Sequence, residues 1–296
     1  MSANGLGSNG EHGGGGAAGR APSGRRRTPW PLAVVAALFV VVPFLTWYWT
    51  WFGRSLSDEE MRKFLTDGNP RHAQHAMSQL ADRLTKDKND SAARRWGSQV
   101  VALASSPVAD VRMTAAWLMG VEHESEEFHA ALLELVEDGE PIVRRNAALA
   151  LVRFGDERCR PELLAMLRPF TVTARTEGTA LTALSEGTPV KRESLLVRYK
   201  IKPNLQDEVR SPLPGKVEKA FVKEGGSWGV GSELFVISPD PQHVADALVG
   251  LAYFGEADDL PEVERYARGV GGMPADLKEK AARTAEAIRR RVSGGR

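Results

Sequence analysis

The sequence predicts a multidomain chain: an N-terminal single transmembrane helix, then an α-solenoid of short helix pairs, with an all-β domain inserted into one pair. Three observations lead to this prediction. Residues 29–52 form one run without a charged residue. Between residues 170 and 239 the apolar period changes to two, which is typical of strands. Helix-starting prolines recur at intervals of 37, 34, 100 and 33 residues, at Pro70, Pro107, Pro141, Pro241 and Pro274.

The N-terminal region favours a membrane anchor. Residues 1–28 are rich in glycine, serine and arginine and hold almost nothing to bury, so we expect a disordered tail there. The apolar run of residues 29–52, PWPLAVVAALFVVVPFLTWYWTWF, is long enough to cross a hydrocarbon core of about 30 Å. It ends in bulky aromatic residues where a signal peptidase requires small ones, which disfavours a cleaved signal peptide. The other alternative is a buried core helix.

The charges around this run predict its orientation. Arg25, Arg26 and Arg27 stand directly before it, whereas acidic and basic residues are mixed after it. By the positive-inside rule, the N-terminus is cytoplasmic. We therefore expect a single-pass protein of the cell (inner) membrane, with residues 54–296 on the periplasmic, extracytoplasmic side.

Composition excludes some functions. The formal net charge is +1, and after residue 28 no basic excess remains, which disfavours a nucleic-acid partner. Cys159 is the one cysteine, so an intramolecular disulfide framework is excluded. We interpret Cys159 as a small buried residue.

Helical repeats are predicted over residues 57–169 and 240–293, because proline periods in the thirties are typical of stacked helix pairs. PIVRRNAALALVRFG from Pro141 aligns with PQHVADALVGLAYFG from Pro241, and VRMTAAWL from Val111 resembles VRRNAALAL from Val143. The helix from Pro141 resembles the HEAT-repeat motif P-x-V-R-x-x-A-A-x-A-L, which it matches in full, whereas the other repeats are degenerate. The resemblance implies a non-enzymatic scaffold that presents a surface to partner proteins.

An insertion is predicted over residues 170–239, where the proline interval lengthens. It contains an internal duplication: residues 171–199 parallel residues 208–237. The pairs are Gly178 with Gly215, Gly187 with Gly225, Val190 with Trp228, and Leu196 with Leu234. Each half reads as short strands joined by glycine turns, and neither half alone can bury its apolar face, so we expect the halves to interlock as a flattened barrel.

The second half, SPLPGKVEKAFVKEGGSWGVGSELFVI, resembles the biotinyl/lipoyl barrel-sandwich hybrid, a fold shared with HlyD-type membrane fusion (periplasmic adaptor) proteins. In carrier domains of this family, a lysine at the tip of the hairpin between the halves receives the cofactor. Lys202 is the nearest candidate here, but the Met-Lys-Met context is absent, so no cofactor is expected. Adaptors commonly carry a long helical hairpin at this point, whereas about nine residues join the halves here.

The histidines are the remaining candidates for chemistry. His123 and His129 are six residues apart and do not share a helix face, while His72 and His75 share one without an evident third ligand. We predict neither a metal site nor a catalytic residue.

The leading hypothesis is therefore a non-enzymatic, membrane-anchored scaffold for protein partners, such as a membrane transporter or an envelope complex. The alternatives are an adaptor subunit of an efflux or secretion system and a lipoyl or biotin carrier protein.

Overall fold

The computed structural model describes residues 30–52, 55–87, 90–202 and 204–294. The chain divides into two compact units, Met1–Ser55 and Leu56–Arg296. In the first unit, helix α1 covers Trp30–Phe52 and contains Pro43. The predicted disordered tail, residues 1–28, lies outside the described residues.

The predicted transmembrane helix is wrong by the criterion of length and apolarity. No helix in the described part of the chain is both long enough and apolar enough to cross a membrane.

The second unit is mostly helical outside residues 170–238. Its helices start where the sequence supplies caps: Ser57 caps α2 with a reciprocal capping box, and Asp240 accepts hydrogen bonds from the first amides of α10. The helices are α2 Asp58–Thr66, α3 Pro70–Lys86, α4 Ser91–Arg94, α5 Gly97–Leu103, α6 Ala109–Met119, α7 Glu126–Leu135, α8 Pro141–Phe154, α9 Arg160–Met166, α10 Pro241–Phe254, α11 Leu260–Arg268 and α12 Ala275–Gly294. Short 3-10 turns, Glu157–Cys159 and Ala257–Asp259, precede α9 and α11.

These helices pack in pairs: α2 with α3, α5 with α6, α7 with α8, α9 with α10, and α11 with α12. The later member of each pair, called here the second helix, contacts the second helix of the next pair. Between the second helices the core is rich in alanine and leucine, including Ala76, Ala115, Ala147 and Ala247, each fully buried. Small side chains at these positions let the helices approach closely.

Two equivalent arginines show that the repeats share local structure. Arg112 of α6 and Arg144 of α8 each donate an Nη1 hydrogen bond of 2.8 Å to the carbonyl six residues earlier. Each also pairs with a carboxylate ahead of it, Arg112 with Asp138 at 2.7 Å and Arg144 with Glu162 at 3.0 Å. The arginine at this position therefore connects its helix both to the loop before it and to the following repeat.

The strands form two antiparallel four-stranded sheets between α9 and α10. They are β1 Phe170–Thr173, β2 Gly178–Ala183, β3 Pro189–Val190, β4 Leu195–Lys202, β5 Leu205–Arg210, β6 Gly215–Ala220, β7 Ser227–Trp228 and β8 Glu233–Ser238. One sheet has the order β1-β8-β6-β3 and the other β5-β4-β2-β7. The two halves of the duplication thus exchange strands, since each sheet takes members from both.

The sheets enclose a core of their own. The duplicated positions Leu196 and Leu234 are both buried in it, together with Val172, Phe235 and Ile237. Antiparallel pairing sets Val217 opposite Ile237 and Val197 opposite Val209. Apolar residues of several strands from both sheets therefore face this shared core.

The loops that face the helices join the sheets to the repeats. Leu213, in the β5–β6 loop, is 1% exposed and belongs to the helical core, and Phe170 contacts both cores. Arg192, in the β3–β4 loop, pairs with Asp110 at the start of α6. Strand β4 begins at Leu195, directly after this loop, and its eight residues span about 25 Å at roughly 3.3 Å per residue.

Candidate interaction surface

An exposed apolar row crosses three second helices. The alignment of the repeats places Trp117 of α6, Leu149 of α8 and Val249 of α10 at one equivalent position. Trp117 is 43% exposed and Val249 47% exposed, while Leu149 is half-buried. One turn further along α10, Tyr253 is 66% exposed. A periodic repeat thus presents the same apolar position several times on one face.

This row borders a groove of about 510 Å³. Its polar and charged lining side chains are those of Asn146, Arg153, Gln242, His243 and Asp246. Gly250 lies at its floor, and a Cβ there would be 2.6 Å from Leu163 and 3.0 Å from Val152. The absence of a side chain at Gly250 therefore lets α10 approach α8 and α9, which brings the apolar row together.

The groove carries charges of both signs. Arg153 is exposed and donates a hydrogen bond of 3.0 Å to the carbonyl of Gly120. Burial raises the pKa of Asp246, whose carboxylate accepts a hydrogen bond of 2.9 Å from Gln242. A cation and a partly buried carboxylate beside exposed aromatic side chains are typical of protein-binding surfaces, where tryptophan, tyrosine and arginine carry most of the binding energy.

His243 has a fixed tautomer. Its Nδ1 lies 3.0 Å from Nη1 of Arg145, and a guanidinium can only donate, so Nδ1 accepts. Burial and, to a smaller extent, the positive charge of Arg145 together lower the pKa of His243 to about 4. The ring is therefore neutral near pH 7, with its proton on Nε2, on the side of the imidazole opposite Arg145.

Arg145 is the buried charge behind the groove. Its side chain is almost fully buried, and burial lowers its pKa to about 10, against the opposing attraction of Glu162. Burial raises the pKa of Glu162, and Arg144 opposes that shift by hydrogen bonding. This network joins α8, α9 and α10 directly beneath the groove.

Lys202, the predicted carrier candidate, lies exposed at the end of β4. It pairs with Leu205, the first residue of β5, across the turn that joins the two halves of the duplication. Pro203, which follows Lys202 in this turn, lies outside the described residues. Lys202 therefore lies at the end of β4, beside the turn into β5.

The histidine pairs contact carboxylates or aromatic rings. His72 Nδ1 is 2.5 Å from Asp67 and its ring stacks on Phe64. His129 Nε2 is 2.7 Å from Asp156, whose pKa is well below its usual range, chiefly because Arg158 donates to it. Over the described ranges, no three histidine, cysteine, aspartate or glutamate side chains form a group suited to a metal ion.

Cys159 is fully buried, and burial raises its pKa to about 12. The thiol therefore stays protonated at neutral pH and is unreactive.

Sequence reasoning did not single out the groove residues as functional. Trp117 and Tyr253 were visible only as members of aligned repeats, and apolar residues of a repeat are usually assigned to the core. Their sequence position was the one available signal. Trp117 and Tyr253 stand in sequence between the buried alanines and leucines of their helices, so their side chains point outward. His243 gave no signal, because its partner Arg145 is 98 residues earlier.

Comparison with known families supports the repeats. A model of HEAT repeats matches residues 98–181. No curated protein matches the chain. A solved structure of a single-chain, multi-domain long-chain acyl-CoA carboxylase is 19% identical over 34% of this chain and 10% of that one, with a TM-score of 0.23. The chain spans about a tenth of that protein, and a score this low carries no argument about fold or function.

Proposed function

We propose that this protein is a non-enzymatic scaffold whose second helices bind a partner protein. The observation that carries the proposal is the apolar row Trp117, Leu149 and Val249, at equivalent positions of three successive repeats. Trp117 and Val249 are exposed, Leu149 is half-buried, and the exposed Tyr253 lies beside the row. Exposed apolar positions that recur with a repeat form one continuous surface. A stacked-helix array offers such a surface without a catalytic group.

The partner segment that suits this groove is apolar on one side and polar at its margin. Trp117 lines the groove, and the exposed Tyr253 lies one turn beyond Val249 on α10, so both can supply large aromatic contacts. Arg153 and the Nε2 proton of His243 can donate to carbonyl or carboxylate oxygens. A groove of about 510 Å³ falls in the range of roughly 300–1,000 Å³ that binding pockets occupy. One amphipathic segment of a partner protein fits that description.

We also propose that the insert is a barrel-sandwich hybrid of the biotinyl/lipoyl type. In support, four strands from each duplicated half are divided between two antiparallel sheets. Equivalent residues of the halves also have equivalent conformations, since Gly187 and Gly225 both have positive φ, +85° and +79°. In this proposal the insert is a second module, carried between the first and second helix of one repeat.

The scaffold proposal predicts that partner binding depends on the aromatic residues of the row. We expect a Trp117→Ala, Tyr253→Ala double variant to lose at least about 10-fold in affinity, because aromatic anchors at interfaces each contribute roughly 1–2 kcal/mol or more. Affinity capture with quantitative mass spectrometry identifies the partner, and titration of the purified partner gives the affinity. Both side chains are exposed, so the thermal unfolding of the variant should stay near that of the parent protein.

The matched control is Phe221→Ala, which removes an exposed aromatic ring from the sheets instead of the helices. It should leave binding unchanged. A second variant replaces residues 171–237 by a short Gly-Ser turn. If the partner persists without the insert but is lost in the double variant, the helices are the binding surface. A transporter component that is lost with the insert would instead favour an adaptor function and overturn the proposal.

A further inference from the structure

The apolar row of the groove is confined to three second helices. Its members are Trp117 of α6, Leu149 of α8 and Val249 of α10. Counted from the helix-starting prolines, the position equivalent to Leu149 is Ser78 in α3 and Ala282 in α12. Large apolar side chains are therefore available over three repeats, and a polar or small residue stands at either end.

The members of the row are separated by the distance between packed helices. Two glycines that line the groove let the three helices approach closely, since a Cβ on Gly120 would lie 2.8 Å from Ala150 and a Cβ on Gly250 would lie 3.0 Å from Val152. The axes of packed helices are about 8–10 Å apart. Successive members of the row therefore repeat at about 8–10 Å across the stack.

This spacing indicates the conformation of a bound segment. In an α-helix, residues seven apart share one face and are about 10.5 Å apart along the axis, so an oblique crossing matches the row. In an extended strand, residues on one face are about 6.7 or 13 Å apart, and neither distance matches. A polyproline segment repeats at about 9.3 Å, but such segments bind grooves lined by aromatic rings, whereas Leu149 and Val249 are aliphatic. The row therefore favours a helix.

One charge of the groove has no counter-ion. The exposed guanidinium of Arg153 donates a hydrogen bond to a backbone carbonyl, and no carboxylate of the described residues lies within 4.0 Å of it. The carboxylate of the lining is that of Asp246, which accepts a hydrogen bond from Gln242 and lies near the positive charge of Lys280. The unpaired charge is thus positive, and it favours an acidic residue on the bound segment.

From the extent of the row, its spacing and the unpaired guanidinium, we propose that the groove binds an amphipathic α-helix of a partner protein. Three apolar residues of this helix, spaced seven apart, contact Trp117, Leu149 and Val249, which takes about 15 residues or roughly 21 Å. Arg153 is one turn beyond Leu149 in α8, so it pairs with an acidic residue one turn from the middle apolar residue. This inference rests on the proposed function and names the kind of segment that the surface binds.

The test uses the full chain and a fluorescently labelled, alanine-rich peptide of about 18 residues with blocked ends, a length that forms helix in water. The peptide carries leucine at every seventh position and glutamate four residues after each of the first two leucines. Fluorescence anisotropy should show binding. A scrambled peptide of the same composition should bind at least about 10-fold more weakly, because its leucines do not share a face. Equal binding of the scrambled peptide, or tighter binding of a proline-rich peptide of equal length, would overturn the proposal.

Charge exchange tests the role of Arg153. Arg153→Glu should weaken binding of the glutamate peptide about 5-fold, which is the upper range for an exposed ion pair. The same variant should bind a peptide with lysine in place of glutamate more tightly than the parent protein does. Arg153→Gln, which keeps a donor but has no charge, should bind both peptides equally.

The matched control is Arg71→Glu, which reverses an exposed guanidinium of α3 outside the groove and should leave both affinities unchanged. An equal loss in Arg71→Glu and Arg153→Glu would mean general electrostatic attraction and would contradict the proposal.

Failure of the surface and failure of the helical occupant give different results. If the Trp117→Ala, Tyr253→Ala variant keeps the partner, the surface itself is wrong, and the helical occupant is wrong with it. If that variant loses the partner while the helical peptide binds no better than its scrambled form, the surface stands and the helical occupant is wrong.

Discussion

Replacing Gly215 by alanine should destabilise the insert by about 3 kcal/mol, because the added methyl group meets backbone that cannot move aside. A Cβ at this position would be 2.1 Å from the carbonyl oxygen of Ser238 and 2.8 Å from a methyl group of Ile237. The φ angle of Gly215 is +158°, at the margin of the region that favours glycine. Gly215 begins β6 where this strand meets the end of β8, so relief of the clash requires separation of the two strands.

Urea unfolding followed by circular dichroism measures the loss, and hydrogen exchange locates it at β6 and β8. Gly229→Ala is the matched control, since a Cβ there meets nothing within 4 Å and its φ is not positive. We expect the free energy of unfolding of Gly229→Ala to lie within about 0.5 kcal/mol of that of the parent protein. If Gly215→Ala were equally mild, β6 and β8 could not approach one another as described.

Acidification should destabilise the helical repeats through His243. The folded ring has a pKa of about 4, against 6.5 for a free histidine. As the pH falls below 6.5, the histidine of the unfolded chain binds a proton, whereas the folded ring stays neutral until about pH 4. The contribution of His243 to stability is therefore complete above pH 6.5 and decreases as the pH falls to about 4. The difference between the two pKa values corresponds to a loss of about 3 kcal/mol.

Burial is the main cause of this shift, and the groups around His243 add to or oppose it. Arg145 lowers the pKa by its positive charge, while Asp240 raises it. Glu162 and Asp246, whose own pKa values are raised by burial, also change the acid dependence of the whole protein. A difference between two variants is therefore needed to isolate the contribution of the histidine.

The measurement is the free energy of unfolding at pH 7 and pH 4.5 for the parent protein and for His243→Gln. Glutamine keeps an acceptor for Arg145 but does not titrate. Between pH 7 and pH 4.5, the free energy of unfolding of His243→Gln should therefore fall by about 2 kcal/mol less than that of the parent protein. His75→Gln removes an exposed imidazole and should behave like the parent protein. If His243→Gln lost as much stability as the parent protein, His243 would not be the buried neutral acceptor that its contact with Arg145 indicates.

The sequence by itself determined the helical repeats, because most of the helices carry their own start signal and a buried stripe of their own. Proline or a polar cap marks the beginning, and alanine and leucine recur at helical spacing, so local chemistry is enough. Local sequence was also enough to predict strands in residues 170–239, from the apolar period of two and the duplicated glycines of this segment. The HEAT resemblance at Pro141 lies within the matched range of residues 98–181. The predicted membrane span was wrong, since no described helix is both long enough and apolar enough to cross a membrane.

Only the tertiary structure decided which residues form surfaces. Trp117, Leu149 and Val249 come together because three helices stack in register, although their positions in the chain are up to 132 residues apart. His243 is neutral because the fold buries it, and Arg145 makes its Nδ1 an acceptor, which leaves the proton on Nε2. Strands β1 and β5 line one cleft because the halves exchange strands. Local sequence determines an element through short-range hydrogen bonds and periodicity, whereas a surface depends on long-range packing that no local pattern records.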